Sequence, residues 1–341
     1  MSATLEPPGG TRGATPAGPS ALARLMMLQR RFQLFQLLAL GLLFLWGATT
    51  VTDFATALSI KSMLVSAAFL GLAGAGQTLV VLVGGIDFSV PAFISGGAIL
   101  ISQLCGTYHW SAVAAIAVIL GAALLLGAIN GYVSDRFQVP SLVVTLGMSS
   151  MITGGLLLWT KGAATGAAPA FLATVTSVGT RTFGVGIPPL VVLWAVVAIV
   201  LGVTLGRTVP GRRVYQTGAN PVAAQFSLVR TRRVWTLTFA ASGLLGGILG
   251  ILVGGYTGSG NTTLGDPYLF EGLAAVIVGG TTFGARGDYW KTVIGALLLT
   301  VLTTVLIGKG YSNADQQMIF GLLILLVVAG YGRSPRLRDR I

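Results

Sequence analysis

An ionisable residue follows two glycines inside an otherwise apolar part of this chain. The segment 84–91 reads Gly-Gly-Ile-Asp-Phe-Ser-Val-Pro and interrupts one of many long hydrophobic runs. Inside a bilayer, irregular backbone and buried carboxylates are tolerated mainly where they pack within protein or line a cavity. The pattern therefore predicts a broken membrane helix that lines or supports a passage for a polar solute. Its candidate residues are Gly84, Gly85, Asp87 and Ser89.

Asp87 has a second interpretation, as a helix cap. A carboxylate near a helix N-terminus accepts hydrogen bonds from free N–H groups and is stabilised by the helix dipole. Because Asp87 precedes an apolar run, we favour capping and support of the fold over direct contact with a substrate. The other polar candidates in or beside the apolar runs are Gln77, Asn130 and Glu271.

A Val-Gly-Gly triplet occurs twice, at 83–85 and at 278–280. Both copies follow apolar runs and precede polar turns, so Gly279 and Gly280 join the candidate residues. The pair gives weak support for an internal duplication. The spans given below place both turns on the inner side of the membrane, which does not match an inverted repeat of five plus five spans. Either the repeat is accidental or one of the two segments is re-entrant.

The composition indicates a membrane protein. Of the 341 residues, 54% are hydrophobic and only 9% are charged, whereas soluble domains carry about 25% charged residues. Apolar runs of about 20 residues match the thickness of a bilayer, and the short alternating strands of a membrane β-barrel are absent from the sequence. We therefore expect an all-α polytopic membrane protein.

About ten transmembrane helices are expected, with short broken helices near 84–104 and 268–287. Short, glycine-interrupted segments are typical of half-helices around a transport site. The candidate spans are 33–52, 62–83, 88–104, 111–133, 141–160, 187–206, 234–256, 268–283, 290–308 and 316–331.

Basic residues predict the orientation of these spans. With the N-terminus inside, only four of the 21 basic residues lie outside, so both termini are expected in the cytoplasm. We expect residues 1–30 to form a disordered cytoplasmic tail, 31–332 the transmembrane domain and 333–341 a basic cytoplasmic tail. The four outer basic residues are Lys61, Lys161, Arg181 and Lys309.

The connection 207–233 is the largest on the predicted cytoplasmic side and is rich in arginine. Asn220 can cap a helix that has Pro221 at its first position, which predicts a short helix at about 220–227. Such a helix facing the cytoplasm is favoured as a docking element for a partner. A basic loop lying against lipid headgroups is the alternative.

Glycine spacing predicts closely packed helices. Small residues four apart let membrane helices approach each other. We therefore favour packing over substrate contact for these glycines, even though one pair brackets Asn130. The glycines with this spacing are Gly246, Gly250, Gly254 and Gly258, and the pair Gly127 and Gly131.

Several function classes lack support in the sequence. Cys105 and His109 are the only cysteine and histidine, so neither a metal cluster nor a Ser-His-Asp triad is expected. A phosphate-binding loop is absent, and the basic residues flank apolar runs rather than forming a nucleic-acid surface. We predict no catalytic residue, no metal and no cofactor on this chain. A stand-alone transporter coupled to protons or sodium remains an alternative, and an intramembrane enzyme lacks an acid–base pair.

Four blocks in order along the chain resemble one family. They are Val83–Val90; Ile129–Gly131 with Val139–Met148; Gly211–Ala224; and Ala274–Thr281 with Gly284–Gly287. Together they resemble the membrane permease subunit of bacterial ABC importers for simple sugars, of the ribose/xylose/galactose type. Gln77 and Pro91 depart from that family's usual residues.

The resemblance implies a division of labour between subunits in the bacterial inner membrane. Two permease subunits, identical or related, would form the passage for a monosaccharide or polyol. ATP-binding cassette ATPases would bind ATP and Mg on the cytoplasmic face, and a periplasmic or lipid-anchored protein would deliver the sugar. The residues implied in coupling to the ATPase are Gly218, Asn220, Pro221, Ala223 and Ala224.

Overall fold

The structure, a computed structural model, describes residues 33–182, 184–284 and 287–331, with side chains to residue 326. This part of the chain is helical, and the β-structure within it consists of isolated bridge residues, including the pair Thr182 and Val185. The helices are α1 (Leu34–Thr50), α2 (Ala57–Leu82), α3 (Val90–Ser102), α4 (Ala112–Phe137), α5 (Ser141–Thr160), α6 (Ala170–Thr176), α7 (Pro189–Arg207), α8 (Val209–Ala219), α9 (Pro221–Phe226), α10 (Thr231–Thr257), α11 (Asp266–Val278), α12 (Tyr289–Gly308) and α13 (Asn313–Tyr331).

Each of the ten predicted spans coincides with one of these helices, which confirms an all-α polytopic membrane protein. Seven helices of the described chain are long and apolar enough to cross a bilayer, counting α3 together with its extension. The number that actually cross, and the side on which the termini lie, stay predictions. The predicted tails at 1–30 and 333–341 fall outside the described residues.

The third predicted span is longer than the sequence suggested. After α3 the chain continues through a π-helical turn at Gln103–Thr107, so the helical segment reaches 18 residues. The irregular backbone at 84–89 therefore lies before this helix rather than within it. The second predicted break does follow a short helix, since α11 has 13 residues and the non-helical segment begins at Gly279.

The bundle has a buried centre made of α2, α3 and α10. The most apolar stretches of these helices are 78–89% buried, whereas those of α4, α5 and α7 are 22% buried. The peripheral helices consequently present apolar surface outward, as helices facing lipid do. Residues 84–89 join two of the three central helices, and within this break Gly85, Asp87 and Ser89 are buried whereas Gly84 is exposed.

The predicted glycine packing is confirmed where α10 crosses its neighbours. A Cβ on Gly127 of α4 would collide with the carbonyl oxygen of Phe239 on α10, and a Cβ on Gly250 with that of Ile94 on α3. Only glycine permits helix backbones to lie this close. Gly258 differs from the others, because it ends α10 with a φ of 79° and its absent side chain faces open space.

Candidate translocation site

The break begins where α2 ends in a glycine turn. Gly84 has a φ of 90°, its N–H donates to Val81 O at 3.0 Å, and the N–H of Gly85 donates to Val80 O at 2.9 Å. This paired pattern closes a helix through a left-handed residue, a conformation that glycine adopts without steric cost. The two glycines thus satisfy the last carbonyls of α2 inside the bundle and turn the chain towards Asp87.

Asp87 joins the break to two other helices. Its Oδ1 accepts hydrogen bonds from the backbone N–H of Ser89 at 2.9 Å and from the Ser89 hydroxyl. Its Oδ2 accepts a hydrogen bond from the hydroxyl of Ser242 on α10 at 2.7 Å. The Nδ2 of Asn130 on α4 donates to Ser89 Oγ at 2.9 Å. Each of these side chains is fully buried, so the carboxylate is a junction between α3, α4 and α10.

The expected capping role of Asp87 needs correction. Ser89, not Asp87, occupies the N-cap position of α3, and no side chain caps that helix. The one N–H that Asp87 accepts belongs to Ser89, just before the first helical residue. Asp87 therefore supports the fold by linking helices through hydroxyl groups, and not by satisfying N–H groups within α3.

Two further helices hold the backbone of the break. The N–H of Ile86 donates to Ser141 Oγ at 3.1 Å and that of Phe88 to Thr145 Oγ1 at 3.0 Å, both on α5. On α2, Gln77 Nε2 donates to the carbonyl oxygen of Asp87 at 2.7 Å. Side chains thus replace the backbone partners that an irregular segment lacks at membrane depth.

The structure brings together four predicted residues and adds others that the sequence reading missed. Gln77, Asp87, Ser89 and Asn130 belong to one network, while Ser141, Thr145 and Ser242 were not anticipated. Ser242 could have been recognised, because it lies four residues before Gly246 and so shares the packed face of α10. The sequence assigned Ser141 and Thr145 no role beyond their place in the block Val139–Met148, because the N–H groups that their hydroxyls accept belong to the distant break.

The network contains two buried oxygens, Gln77 Oε1 and Asn130 Oδ1, with no hydrogen-bond partner in the described chain. Both residues are fully buried, as is Asp87. A solute could reach these groups only after the helices move apart, so in this conformation the network is enclosed by protein.

The second glycine turn ends α11 with a shifted register. Gly280 has a φ of 97° and donates to Ile277 O at 2.9 Å, and Thr281 donates to Val276 O at 3.1 Å. The left-handed residue is therefore the second glycine here and the first glycine at 83–85. The matching triplets make the same kind of turn, but the left-handed residue is shifted by one position between them. This shift weakens the case for a duplication.

The two turns lie beside each other and beside α8. The N–H of Gly284 donates to Val81 O at 3.4 Å, linking the loop after α11 to the end of α2. The hydroxyl of Tyr215 on α8 donates to Gly287 O at 2.8 Å. Burial, with a smaller contribution from the Asp288 carboxylate, raises the pKa of Tyr215 to about 12, so this hydroxyl remains a donor at neutral pH.

Glu271 stands apart from the Asp87 network. It lies half-buried on α11, and its carboxylate forms no hydrogen bond or salt bridge within the described residues. Gly279 has a packing role instead, since a Cβ there would collide with the carbonyl oxygen of Lys291 on α12. The sequence grouped these residues with Asp87, but the structure places them on a different pair of helices.

The short helix expected at about 220–227 is present as α9. Asn220 caps it by accepting the N–H of Ala223 at 3.0 Å, and Pro221 occupies its first position. The carbonyl oxygen of Gly218, at the end of α8, lies against Gly284 in the loop after α11. The connection 207–233 is therefore an ordered unit seated on the second turn.

The surface that α9 offers differs from the one expected. Ala224 is buried in a cluster with Val83, Val229 and Val234, so its side chain faces the bundle and not a partner. The side chains turned away from the protein are apolar instead. Val222 is 61% exposed, Phe226 85% and Leu228 93%. These three form the outer face of α9 and its C-terminal turn.

Residues 59–328 match the family described as the permease component of a branched-chain amino acid transport system. The fructose import permease protein of Rhizobium meliloti is 30% identical, covering 83% of this chain and 80% of that protein. The ribose import permease protein of Bacillus subtilis is 31% identical over 81% of this chain and 85% of its own length. An autoinducer 2 import system permease protein of Escherichia coli is 28% identical over 91% of this chain and 89% of its own length. No solved structure matches the chain.

Proposed function

The chain belongs to this family of transport-system permease components, and within it to the sugar-import permeases of ABC transporters. From that premise we propose that it carries a monosaccharide or related polyol across the bacterial inner membrane, powered by a separate ATPase. The relatives named for fructose and ribose import support this substrate class. The partners proposed are two cassette ATPases, a sugar-binding protein and a second permease chain, identical or related.

The contact between α9 and the first glycine turn carries the mechanical part of the proposal. Ala224 shares a buried cluster with Val83, the residue that precedes Gly84. A displacement of α9 would therefore reach the glycine turn through this cluster. Because the turn connects α2 to α3, such a displacement would change how two of the three central helices lie.

A second contact extends this coupling to α11 and α12. Tyr215 of α8 binds the carbonyl oxygen of Gly287, and Asp288 next to it caps α12 by accepting the Lys291 N–H at 3.0 Å. The segment 209–226 thus contacts both glycine turns. We propose that ATPase closure, received at Val222, Phe226 and Leu228, moves both turns together.

Uptake into proteoliposomes tests the energy source. The chain is reconstituted with its ATPase and its sugar-binding protein, and entry of labelled D-ribose and D-fructose is followed with and without internal ATP. We expect sugar entry only when all the subunits and ATP are present. Sugar uptake by this chain by itself, driven by a sodium or proton gradient, would contradict the proposal and favour an ion-coupled transporter.

A matched pair of substitutions tests the docking face. Phe226→Ser removes an apolar side chain from the outer face of α9, and Phe137→Ser removes a 63% exposed phenylalanine from the end of α4. We expect Phe226→Ser to lower copurification of the ATPase and sugar uptake together, with Phe137→Ser leaving both near wild type. Equal effects from the two variants would argue against docking at α9.

A further inference from the structure

A second candidate site lies at the other end of the bundle. A cavity of about 250 Å³ opens where the π-helical turn after α3 meets the end of α5. It is smaller than the roughly 300–1,000 Å³ of pockets for drug-sized ligands, which suits a single sugar ring. Its principal lining residues are Gln103, Thr107, Tyr108, Trp159, Thr160 and Lys161.

Helix α5 fixes the position of this cavity relative to the break. Ser141, at the start of α5, binds the backbone of the break, and Thr160, at its end, lines the cavity. Twenty helical residues span about 30 Å, close to the thickness of the hydrocarbon core. The cavity therefore lies on the opposite face of the bundle from α9, the face predicted to be periplasmic.

Gln103 is the clearest sign that the cavity is a binding site. The residue is 5% exposed and lines the cavity, and within the described part of the chain no protein group forms a hydrogen bond with its side-chain amide. The amide is accessible from the cavity, so it can bind water or the hydroxyl group of a solute there. Gln103 also starts the π-helical turn, and π-turns within helices are frequent at functional sites.

The rest of the lining indicates what that occupant is. Tyr108 and Trp159 stack with their rings 5.8 Å apart and 11° from parallel, giving an apolar surface at the mouth of the cavity. Beside the rings stand hydroxyl groups, the amide of Gln103 and the ammonium group of Lys161. The lining contains no carboxylate that could bind the ammonium group of an amino acid. Flat apolar surface beside hydroxyl, amide and ammonium groups, all able to bind hydroxyl oxygens, fits a polyhydroxylated ring.

The wall of the cavity is held in place by the chain that follows α5. A Cβ on Gly106 would collide with the backbone of Ala167, and a Cβ on Gly166 with the carbonyl oxygen of Ser102. The N–H of Ala168 also donates to Gly258 O at 2.9 Å. The segment 163–168 is thus fastened both to the π-helical turn and to the end of α10, so the cavity is formed before a ligand arrives.

We propose that this cavity is an outer entry site that binds a monosaccharide or similar polyol through Gln103, Lys161 and the Tyr108–Trp159 pair. The inference rests on the proposed function, because it names where the transported sugar first meets this chain. The Asp87 network, enclosed at the far end of α5, then lies on the later part of the route.

Direct binding to the isolated chain tests the site without the ATPase. The protein in lipid nanodiscs is titrated with D-ribose, D-fructose, sorbitol and, as a comparison, L-leucine, and binding is measured by saturation-transfer NMR. We expect saturable binding of at least one of the three polyols, and none of L-leucine. Gln103→Leu should weaken that binding about tenfold, because a ligand hydroxyl loses its partner in a buried place.

Two variants at the mouth of the cavity and one control variant far from it complete the test. Trp159→Leu and Lys161→Met alter exposed residues, so they report on the site even if Gln103→Leu does not fold. Both should weaken polyol binding several-fold, whereas Trp46→Leu on α1, 48% exposed and remote from the cavity, should not. Binding unchanged in the cavity variants, or binding only of L-leucine, would overturn the site.

Uptake separates failure of the site from failure of the proposed function. ATP-dependent sugar uptake by the full assembly, combined with no polyol binding to the isolated chain, would refute the site and leave the function standing. If the wild-type chain binds a polyol and Gln103→Leu does not, but the full assembly shows no ATP-dependent uptake, the site would be supported and the proposed function refuted.

Discussion

The two glycine turns end their helices with the same kind of geometry in opposite surroundings. After α2, the chain enters a largely buried network in which α4 and α10 donate hydrogen bonds to Ser89 and Asp87, and α5 accepts them from the N–H groups of Ile86 and Phe88. After α11, the chain runs into a partly exposed loop held by Tyr215 and by the cap of α12. One turn is fixed by the core of the bundle, and the other by the segment proposed to receive the ATPase.

This difference teaches that a Gly-Gly pair specifies how a helix ends but not what the turn does. The turn geometry is local, because glycine alone removes the cost of a positive φ. The environment is set by which helices arrive beside the turn. We therefore expect loss of a side-chain partner of the first turn to disrupt folding and uptake together, and loss of the Tyr215 contact at the second turn to affect uptake more than folding.

The largest effect is expected at Asp87. Replacing it by Leu removes the acceptor of three hydrogen bonds and leaves buried hydroxyl and N–H groups unpaired, at about 1–3 kcal/mol for each. We expect Asp87→Leu to abolish uptake and lower the yield of folded protein. Asp87→Asn should retain much of both, because the amide oxygen can accept from Ser89 and the amide nitrogen can donate to Ser242. If Asp87→Asn folded normally yet lost all uptake, the charge itself would be needed and the junction role would be wrong.

A pair of glycine substitutions compares steric collision with backbone strain. Gly279→Ala places a methyl group against the carbonyl oxygen of Lys291, whereas Gly84→Ala meets open space at a φ of 90°. The strain at Gly84 costs about 1–2 kcal/mol, and the collision at Gly279 should cost more because α12 must move. The unfolding temperature in detergent should be lower for Gly279→Ala than for Gly84→Ala. The reverse order would show that α11 and α12 can move apart at little cost in stability.

An intermediate effect is expected at Ser242. Ser242→Ala removes the hydroxyl that donates to Asp87 Oδ2, leaving half of a buried carboxylate unpaired at a cost of about 1–3 kcal/mol. We expect a lower unfolding temperature and partial loss of uptake. Ser150→Ala, whose hydroxyl is exposed and bonds only to the backbone of its own helix, should match wild type. Equal stability of the two variants would show that Ser242 contributes nothing to the junction.

The smallest effect on stability is expected at Tyr215. Tyr215→Phe removes one partly buried hydrogen bond to Gly287, worth about 1 kcal/mol. We expect uptake to fall about threefold with ATPase copurification preserved, because the loop after α11 is released from α8. Tyr132→Phe is the control, since that side chain is half-exposed on α4 and forms no hydrogen bond to another helix in the described chain.

The same Tyr215 contact should be insensitive to pH. Its pKa, raised to about 12, keeps the hydroxyl protonated and donating throughout the range from pH 6 to 9. The ratio of Tyr215→Phe to wild-type uptake should therefore stay constant across that range. A ratio that changes with pH would mean that the hydroxyl is not simply a donor to Gly287.

Much of the architecture followed from the sequence. Apolar runs as long as a bilayer is thick located ten helices, because each membrane helix must satisfy its own backbone. The glycines spaced by four located the close crossings of α10, and Asn220-Pro221 located α9. These features depend on residues near one another in the chain, so local chemistry determined them.

Tertiary structure decided which polar residues meet and which way they face. Ala224 lies in the segment that the sequence predicted to dock on a partner, but it is buried in a cluster with Val83 and Val234. Phe226 and Leu228 are exposed instead. Glu271 and Asp87 are both acids in or beside apolar runs, yet within the described chain only Asp87 receives hydroxyl donors. The serines and threonine that hold the break come from helices up to 155 residues away. Such partners depend on helix rotation and crossing, which are set by packing across the whole bundle and not by any segment alone.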